Sequence, residues 1–292
     1  LQMRPLPLSW EQEGLELEDV EEGQLLCRSN NVLGNGRIES NLFVGNDPGT
    51  PGDTVFAGGG LNFLNTAIGE TRILNNTFVN HQAISGGAIL MDGFDTIVVA
   101  NNIITDNSSG IQTNNIMGMV PTVLDYNLFS DNGSDYVNLT AGAHDLFADP
   151  LYNNAAGGDY TLADNSPAIE AGSPVSLPVG ERDLAGALRI QDADHDLVAR
   201  VDIGSFEFSS DFDGDGILDW LDGDDDNDDM PDDYETAQGF NPYDPEDADD
   251  DDDRDGFTNL EEYLAGTDPL NRYSYPGRKS RTFLYFQIMQ GA

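Results

Sequence analysis

Four asparagines, each opening a short apolar segment, set the strongest limit on how this chain folds. They head NLFVGN (41–46), NTFVN (76–80), NIITDN (102–107) and NLFSDN (127–132), at intervals of 35, 26 and 25 residues. Between them lie Gly-rich segments of a second kind, GGGLNFLN (58–65) and GGAILM (86–91). Each unit therefore carries several strand-length apolar runs bounded by Gly, Asn and Asp turns. Helix-period patterns are nearly absent, which argues against a bundle. A repeat of about 25 residues built from short strands predicts a parallel β-solenoid, each turn stacked on the last at the strand spacing of about 4.8 Å. In that arrangement Asn41, Asn76, Asn102 and Asn127 stand in a column, where amide donors and acceptors satisfy one another as a ladder. The long first interval is read as a loop around residues 46–52.

Later segments run FADPLY (147–152), DYTLADNSPAIEAG (159–172), DLAGALR (183–189) and DIGSFEF (202–208). Taken with the repeats, residues 37–208 resemble the right-handed parallel β-helix domains of bacterial surface proteins, and the four segments resemble the closing part of the choice-of-anchor proteins among them. The resemblance implies an all-β fold, a right-handed parallel β-helix with turns over 1–140 and a closing segment over 141–209. It attaches no catalytic role to Glu170 or Glu207, which are expected to be structural.

The charge balance, 54 acidic against 12 basic residues and a net of −42, excludes partners bound through Lys and Arg. Nucleic acid and anionic membrane surfaces are such partners; cations and neutral sugars are not. With 38% hydrophobic residues the chain has the material for a core. The single Cys27 has no disulfide partner and reads as a small buried hydrophobe. No apolar run approaches the roughly 20 residues of a membrane span. The opening LQMRPLPLSW does not read as a signal peptide, so the chain is expected to be a fragment or a processed form. The acidity is concentrated: residues 211–271 hold 25 Asp and Glu and one Arg, a net of 25 − 1 = 24 negative charges. A boundary is placed near Ser209-Ser210, with a calcium-binding module over 210–271 and a basic tail or truncated next domain over 272–292.

Calcium takes six to eight oxygens, and a twelve-residue loop supplies them from positions 1, 3, 5, 7 (by its carbonyl), 9 and 12, with Gly at 6. Three windows carry that spacing. The first is Asp211, Asp213, Asp215, Ile217, Asp219 and Asp222, with the shorter Asp at position 12. The second is Asp224, Asp226, Asp228, Met230, Asp232 and Glu235, with Asp229 where the turn glycine belongs. That makes it the poorest match. The third, Asp251, Asp253, Asp255, Phe257, Asn259 and Glu262, departs nowhere. Thr258 and Glu261 form a capping-box pattern after it. Leu260, Tyr263 and Leu264 are placed on one face of a helix ended by Gly266; a second short helix over 231–238 ends at Gly239. The first two windows resemble thrombospondin type 3 calcium repeats, and the third resembles the EF-hand-like loops of bacterial secreted proteins. That implies a calcium-dependent stalk beside a surface domain.

The function expected is that of a secreted or cell-surface calcium-binding protein whose β-helix displays a face to glycans or cell-surface proteins. Two alternatives are a β-helix carbohydrate-active enzyme and a purely structural spacer. A lyase needs a basic residue, and between 38 and 181 only Arg72 is available; for a glycosidase, Asp92 with Asp95, or Asp106 with Asp131, are the carboxylate pairs. The loop Asp192–Asp196 is read as a solvated turn in preference to a further cation site. His81, His144 and His195 lack zinc spacing. The sequons at Asn75, Asn107, Asn132 and Asn138 carry no weight in a bacterial chain.

Overall fold

The computed structural model describes residues 15–20, 24–29, 36–45, 59–65, 70–83, 85–91, 96–114, 122–173 and 180–277. The loop at 46–52, the pair Asp92 and Asp95, and the apolar TFLYF of the tail lie outside them. Two compact units divide the chain, Leu1–Phe208 and Ser209–Ala292.

The first unit is built mostly of parallel sheet. One sheet orders Gly36–Glu39, Glu70–Leu74, Thr96–Ala100 and Thr122–Asp125; a second orders Leu42–Val44, Thr77–Val79, Ile103–Thr105, Leu128–Ser130 and Leu146–Phe147. The third begins with the antiparallel pair Leu15–Val20 and Gln24–Ser29, then continues in parallel through Leu61–Asn65, Ile89–Met91, Ile111–Gln112 and Tyr136–Val137. From residue 36 to 137 the chain visits the three sheets in a fixed rotation, so each strand pairs with the strand three places along.

Burial follows the covering of each sheet. In the first sheet alternate residues turn inward: Ile73, Ile97 and Val99 enter a core with Phe78, Ile104 and Phe129. The second sheet is covered on both faces, so Thr77–Val79 and Ile103–Thr105 are buried throughout. Ile104 and Phe129 face the first core, whereas Ile103 and Leu128 meet Leu162, Ala168 and Ile203 from the later segments. In-register pairing stacks like on like: the Phe43 and Phe78 rings are stacked 4.6 Å apart and nearly parallel.

The asparagine column is present. Asn41, Asn76 and Asn102 each donate Nδ2 to the Oδ1 of the next, Asn76, Asn102 and Asn127, at 3.0 Å. The same oxygens accept the backbone N–H of the preceding member at 3.0, 3.0 and 3.1 Å. The column ends on a carboxylate: Asn127 donates its N–H to Asp145 Oδ1 at 2.9 Å, and Asp145 is held by the Tyr136 hydroxyl at 2.6 Å. A second, shorter column runs from the His81 N–H to Asn107 Oδ1 and from Asn107 Nδ2 to Asn132 Oδ1, both at 2.9 Å. Corners of left-handed backbone flank these residues, at Ser40, Asn75, Asn101 and Tyr126 on one side and Gly45, Asn80, Asp106 and Asp131 on the other. Gly, Asn and Asp suit them because they tolerate positive φ.

The later segments are pinned by buried polar groups. Arg189 and Glu207 pair at 2.6 Å, each side chain 1% exposed, and Arg189 also donates to the Gly204 and Ser205 carbonyls. Asp202 accepts from the N–H groups of Glu170 and Phe208 at 2.7 and 2.5 Å. Gly204 has φ +112°, and a Cβ there would fall 2.6 Å from Ile103 Cδ1, so the DIGSFEF segment reaches the sheet only with glycine at that place.

The second unit holds two seven-residue helices, α1 (Asp232–Gln238) and α2 (Asn259–Ala265). Thr258 and Glu261 make the reciprocal capping box, and Gly239 and Gly266 close the two C-termini at φ 89° and 66°. The expected apolar face of α2 is corrected. Leu264 is 72% exposed, and the residues α2 buries are Asn259 and Glu262. In this unit the buried apolar residues among the described residues are Met230, Pro242, Ala248 and Pro269, whereas Asp225, Asp226, Glu235, Asn259 and Glu262 are buried as well. Its interior is rich in carboxylates.

Candidate metal centre

Each acidic window is shaped by its own carboxylates before any ion is considered. Side-chain oxygens of Asp in alternate positions accept N–H groups two to five residues on, winding the loop around its oxygens. In the third window Asp251 accepts from Asp255 and Gly256, and Asp253 from Asp255, at 3.0–3.1 Å. The second window repeats this from Asp224 and Asp226 to Asp228 and Asp229 at 3.2 Å. In the first, Asp211 accepts from Gly216 and Asp213 from Asp215. Position 6 has positive φ in all three: Gly216 at 94°, Gly256 at 102° and Asp229 at 76°. Asp229 thus takes the strained turn that Gly makes freely.

The winding gathers Asp211, Asp213 and Asp215; Asp224, Asp226 and Asp228; and Asp251, Asp253 and Asp255, each set with ligand atoms within 4.8 Å of one another. The remaining positions divide. Glu235 joins Asp228, together with Asp247, which lies outside every window. Glu262 is buried on α2 with Oε1 unpartnered, and the three carboxylates of its window press on it electrostatically. Asn259 is buried with Oδ1 unpartnered. Asp219, Asp222 and Asp232 are not gathered: Asp219 accepts from Ser210 Oγ and the Phe212 N–H, Asp222 from Gly223 and Asp224, and Asp232 from Asp225. Ile217, Met230 and Phe257, the carbonyl positions, each give their N–H to the Asp two residues back, at 2.7, 2.6 and 3.3 Å.

The electrostatics are those of negative charge without compensation. Burial, reinforced by Asp226, Asp228 and Asp247, pushes Glu235 up to about 8. Burial beside Asp228 pushes Asp226 up to about 7. Asp211, Asp226, Asp228, Glu235, Asp247, Asp253, Asp255 and Glu262 all carry buried carboxylate oxygens with no hydrogen-bond partner. A buried acceptor left unmade costs ~1–3 kcal/mol, more when charged, so these oxygens form a donor set that suits a hard cation.

Glu170, Asp192, Asp194 and Asp196 also converge. There Glu170 Oε1 accepts from Ala193 and Asp194, its Oε2 meets Arg200 at 2.5 Å, and Arg200 reaches Asp196 at 2.9 Å. Arg200 thus neutralises part of this group, whose loop is wound like the three windows, Asp192 and Asp194 accepting the Asp196 N–H. Arg72, the one basic candidate for lyase chemistry, is paired with Glu70 at 2.6 Å, and Asp106 and Asp131 occupy left-handed corners. Asp247 went unseen in the sequence because it precedes the acidic run that carries the third window. The nearest signal is Ala248, an apolar residue set among acids that proves to be buried. No protein-family model matches the chain, and neither curated proteins nor solved structures gave a match. Among the described residues no helix is long and apolar enough to cross a membrane.

Proposed function

We propose that this chain is a secreted or cell-surface calcium-binding protein, in which a right-handed parallel β-helix displays a binding face and an acidic unit folded around calcium forms its rigid linker. The interior of the second unit carries the reading: five buried polar or acidic residues, Asp225, Asp226, Glu235, Asn259 and Glu262, stand against only four buried apolar ones among the described residues, Met230, Pro242, Ala248 and Pro269. Such an interior holds together when divalent cations take the place of an apolar core. Calcium is favoured over softer metals by an all-oxygen donor set. The fixed rotation of parallel strands, the stacked amides and the near-universal right-hand sense of parallel crossovers support the β-helix, as does the resemblance of residues 37–208 to choice-of-anchor proteins. Modules of this kind bind at about 10⁻⁴–10⁻³ M, which suits extracellular calcium; at ~1 mM calcium and a Kd of ~10⁻⁴ M each site adds about 1.4 kcal/mol. Glycans or cell-surface proteins are the partners proposed for the β-helix. For the enzyme alternative, Arg72 is already paired with Glu70, and Asp106 and Asp131 stand at left-handed corners where Asp serves the turn. Calorimetric titration of the chain with calcium chloride is predicted to show saturable binding in the sub-millimolar range, with no comparable heat from magnesium. A flat titration would refute the assignment.

A further inference from the structure

Glu235 is wholly buried and neither of its oxygens has a hydrogen-bond partner. Within 4.8 Å of it stand ligand atoms of Asp228, from the same window, and of Asp247, twelve residues further on in the short turn Asp247–Asp249. Asp247 uses one oxygen to accept the Asn241 N–H at 3.0 Å; its Oδ1 is buried and unpartnered, as is Asp228 Oδ2. No Lys or Arg pairs with any of the three among the described residues. Three carboxylates turned toward one point, four of their oxygens unsatisfied and no basic side chain between them, form a site for a hard divalent cation.

The turn that carries Asp247 has a second attachment. The Asp247 carbonyl accepts from Asn259 Nδ2, and the Asp250 carbonyl accepts the Asn259 N–H, both at 2.8 Å. Asn259 is the first residue of α2, and α2 carries Glu262 of the third window.

We propose that Asp247 is a ligand of the second cation site, supplied from outside its twelve-residue loop, and that through the strap 247–250 this site loads together with the third. The inference rests on the calcium reading above and adds a residue and a coupling to it. An ion that draws in the Asp247 carboxylate fixes the strap, and the strap fixes the start of the helix that closes the third cage. Loading either site lowers the ordering cost at the other.

Calcium calorimetry on the full chain tests it with four variants: D247N, E235Q, E262Q and D252N. Asn at 247 keeps an oxygen for the Asn241 N–H while losing the anionic donor, and Asp252 is an exposed neighbour whose substitution changes the net charge equally. D247N and E235Q are expected to weaken the same class of site by at least ~tenfold, and D252N, whose charge acts on Asp247 only through space, to change it far less. E235Q is expected to weaken the third site as well, and E262Q the second. At saturating calcium D247N should regain the circular dichroism spectrum of the unmodified chain. A D247N titration that superimposes on D252N while E235Q is weakened overturns the role of Asp247, and so does a D247N spectrum that no calcium concentration restores. Independent titration of the second and third sites overturns the coupling. An unmodified chain that takes up no calcium overturns instead the reading on which the inference rests.

Discussion

Asn102 makes five hydrogen bonds through its side chain, accepting from the Asn76 N–H and Nδ2 and donating to the Ile73 and Ala100 carbonyls and Asn127 Oδ1. Replacing it with Ala leaves several of these groups buried without partners, and Asn102→Ala is predicted to destabilise the β unit by about 3 kcal/mol in chemical denaturation. His81 stands at the head of the second column, buried and pushed down to about 4 by desolvation. Its folded value lies below its unfolded value near 6.5, so the unfolded chain binds the extra proton. The β unit should therefore lose stability as pH falls from about 6.5 to about 4, by roughly 3 kcal/mol in all. His81→Asn should flatten that slope, and an unaltered slope would contradict the assignment. The first column was legible because Asn recurring before an apolar pair, twice at 25–26 residues, has few other uses. His81 was not, since a lone histidine carries no periodicity.

At the scale of elements, the α2 cap was legible and its inward face was not. The capping box of Thr258 and Glu261 is a local contact between near neighbours, which sequence spacing records directly. Leu260, Tyr263 and Leu264 follow helical period and so point to an apolar face, yet α2 turns Asn259 and Glu262 inward because the interior it meets is a carboxylate cage. Leu260 and Tyr263 stay half-buried, Tyr263 against Tyr234, and Leu264 is left exposed. Thr258→Ala should cost about 1 kcal/mol of helix stability, read as a several-fold loss of calcium affinity at the third site in calorimetry. In the second window Asp229 bears the turn at φ 76°, and Glu235 and Asp247 converge on Asp228, a grouping the loop spacing does not indicate. Asp219, Asp222 and Asp232 fit the spacing equally well but stand outside the converging sets, Asp222 and Asp232 each accepting through Oδ1, a difference of local turn geometry that spacing alone does not encode.

For the molecule as a whole, the two units rest on different physics. The β unit buries aliphatic and aromatic side chains along stacked strands, whereas the acidic unit buries groups that repel one another. In chelator the carboxylates of Glu235, Asp226 and Asp225 have folded values near 7–8, above those of the unfolded chain. The metal-free fold thus binds more protons than the unfolded chain, and its stability falls as pH rises through 7–8. Helical signal from the second unit in chelator should be larger at pH 5 than at pH 8, and calcium should remove the difference. The central claim is that divalent cations serve as the core of residues 209–277 and contribute nothing to the core of the β unit. Hydrogen–deuterium exchange of the full chain, with millimolar calcium and with excess chelator, tests it most directly. Peptides from 211–268 should lose most of their protection in chelator while peptides from 70–112 and 122–162 keep theirs; equal protection of 211–268 under both conditions would contradict it.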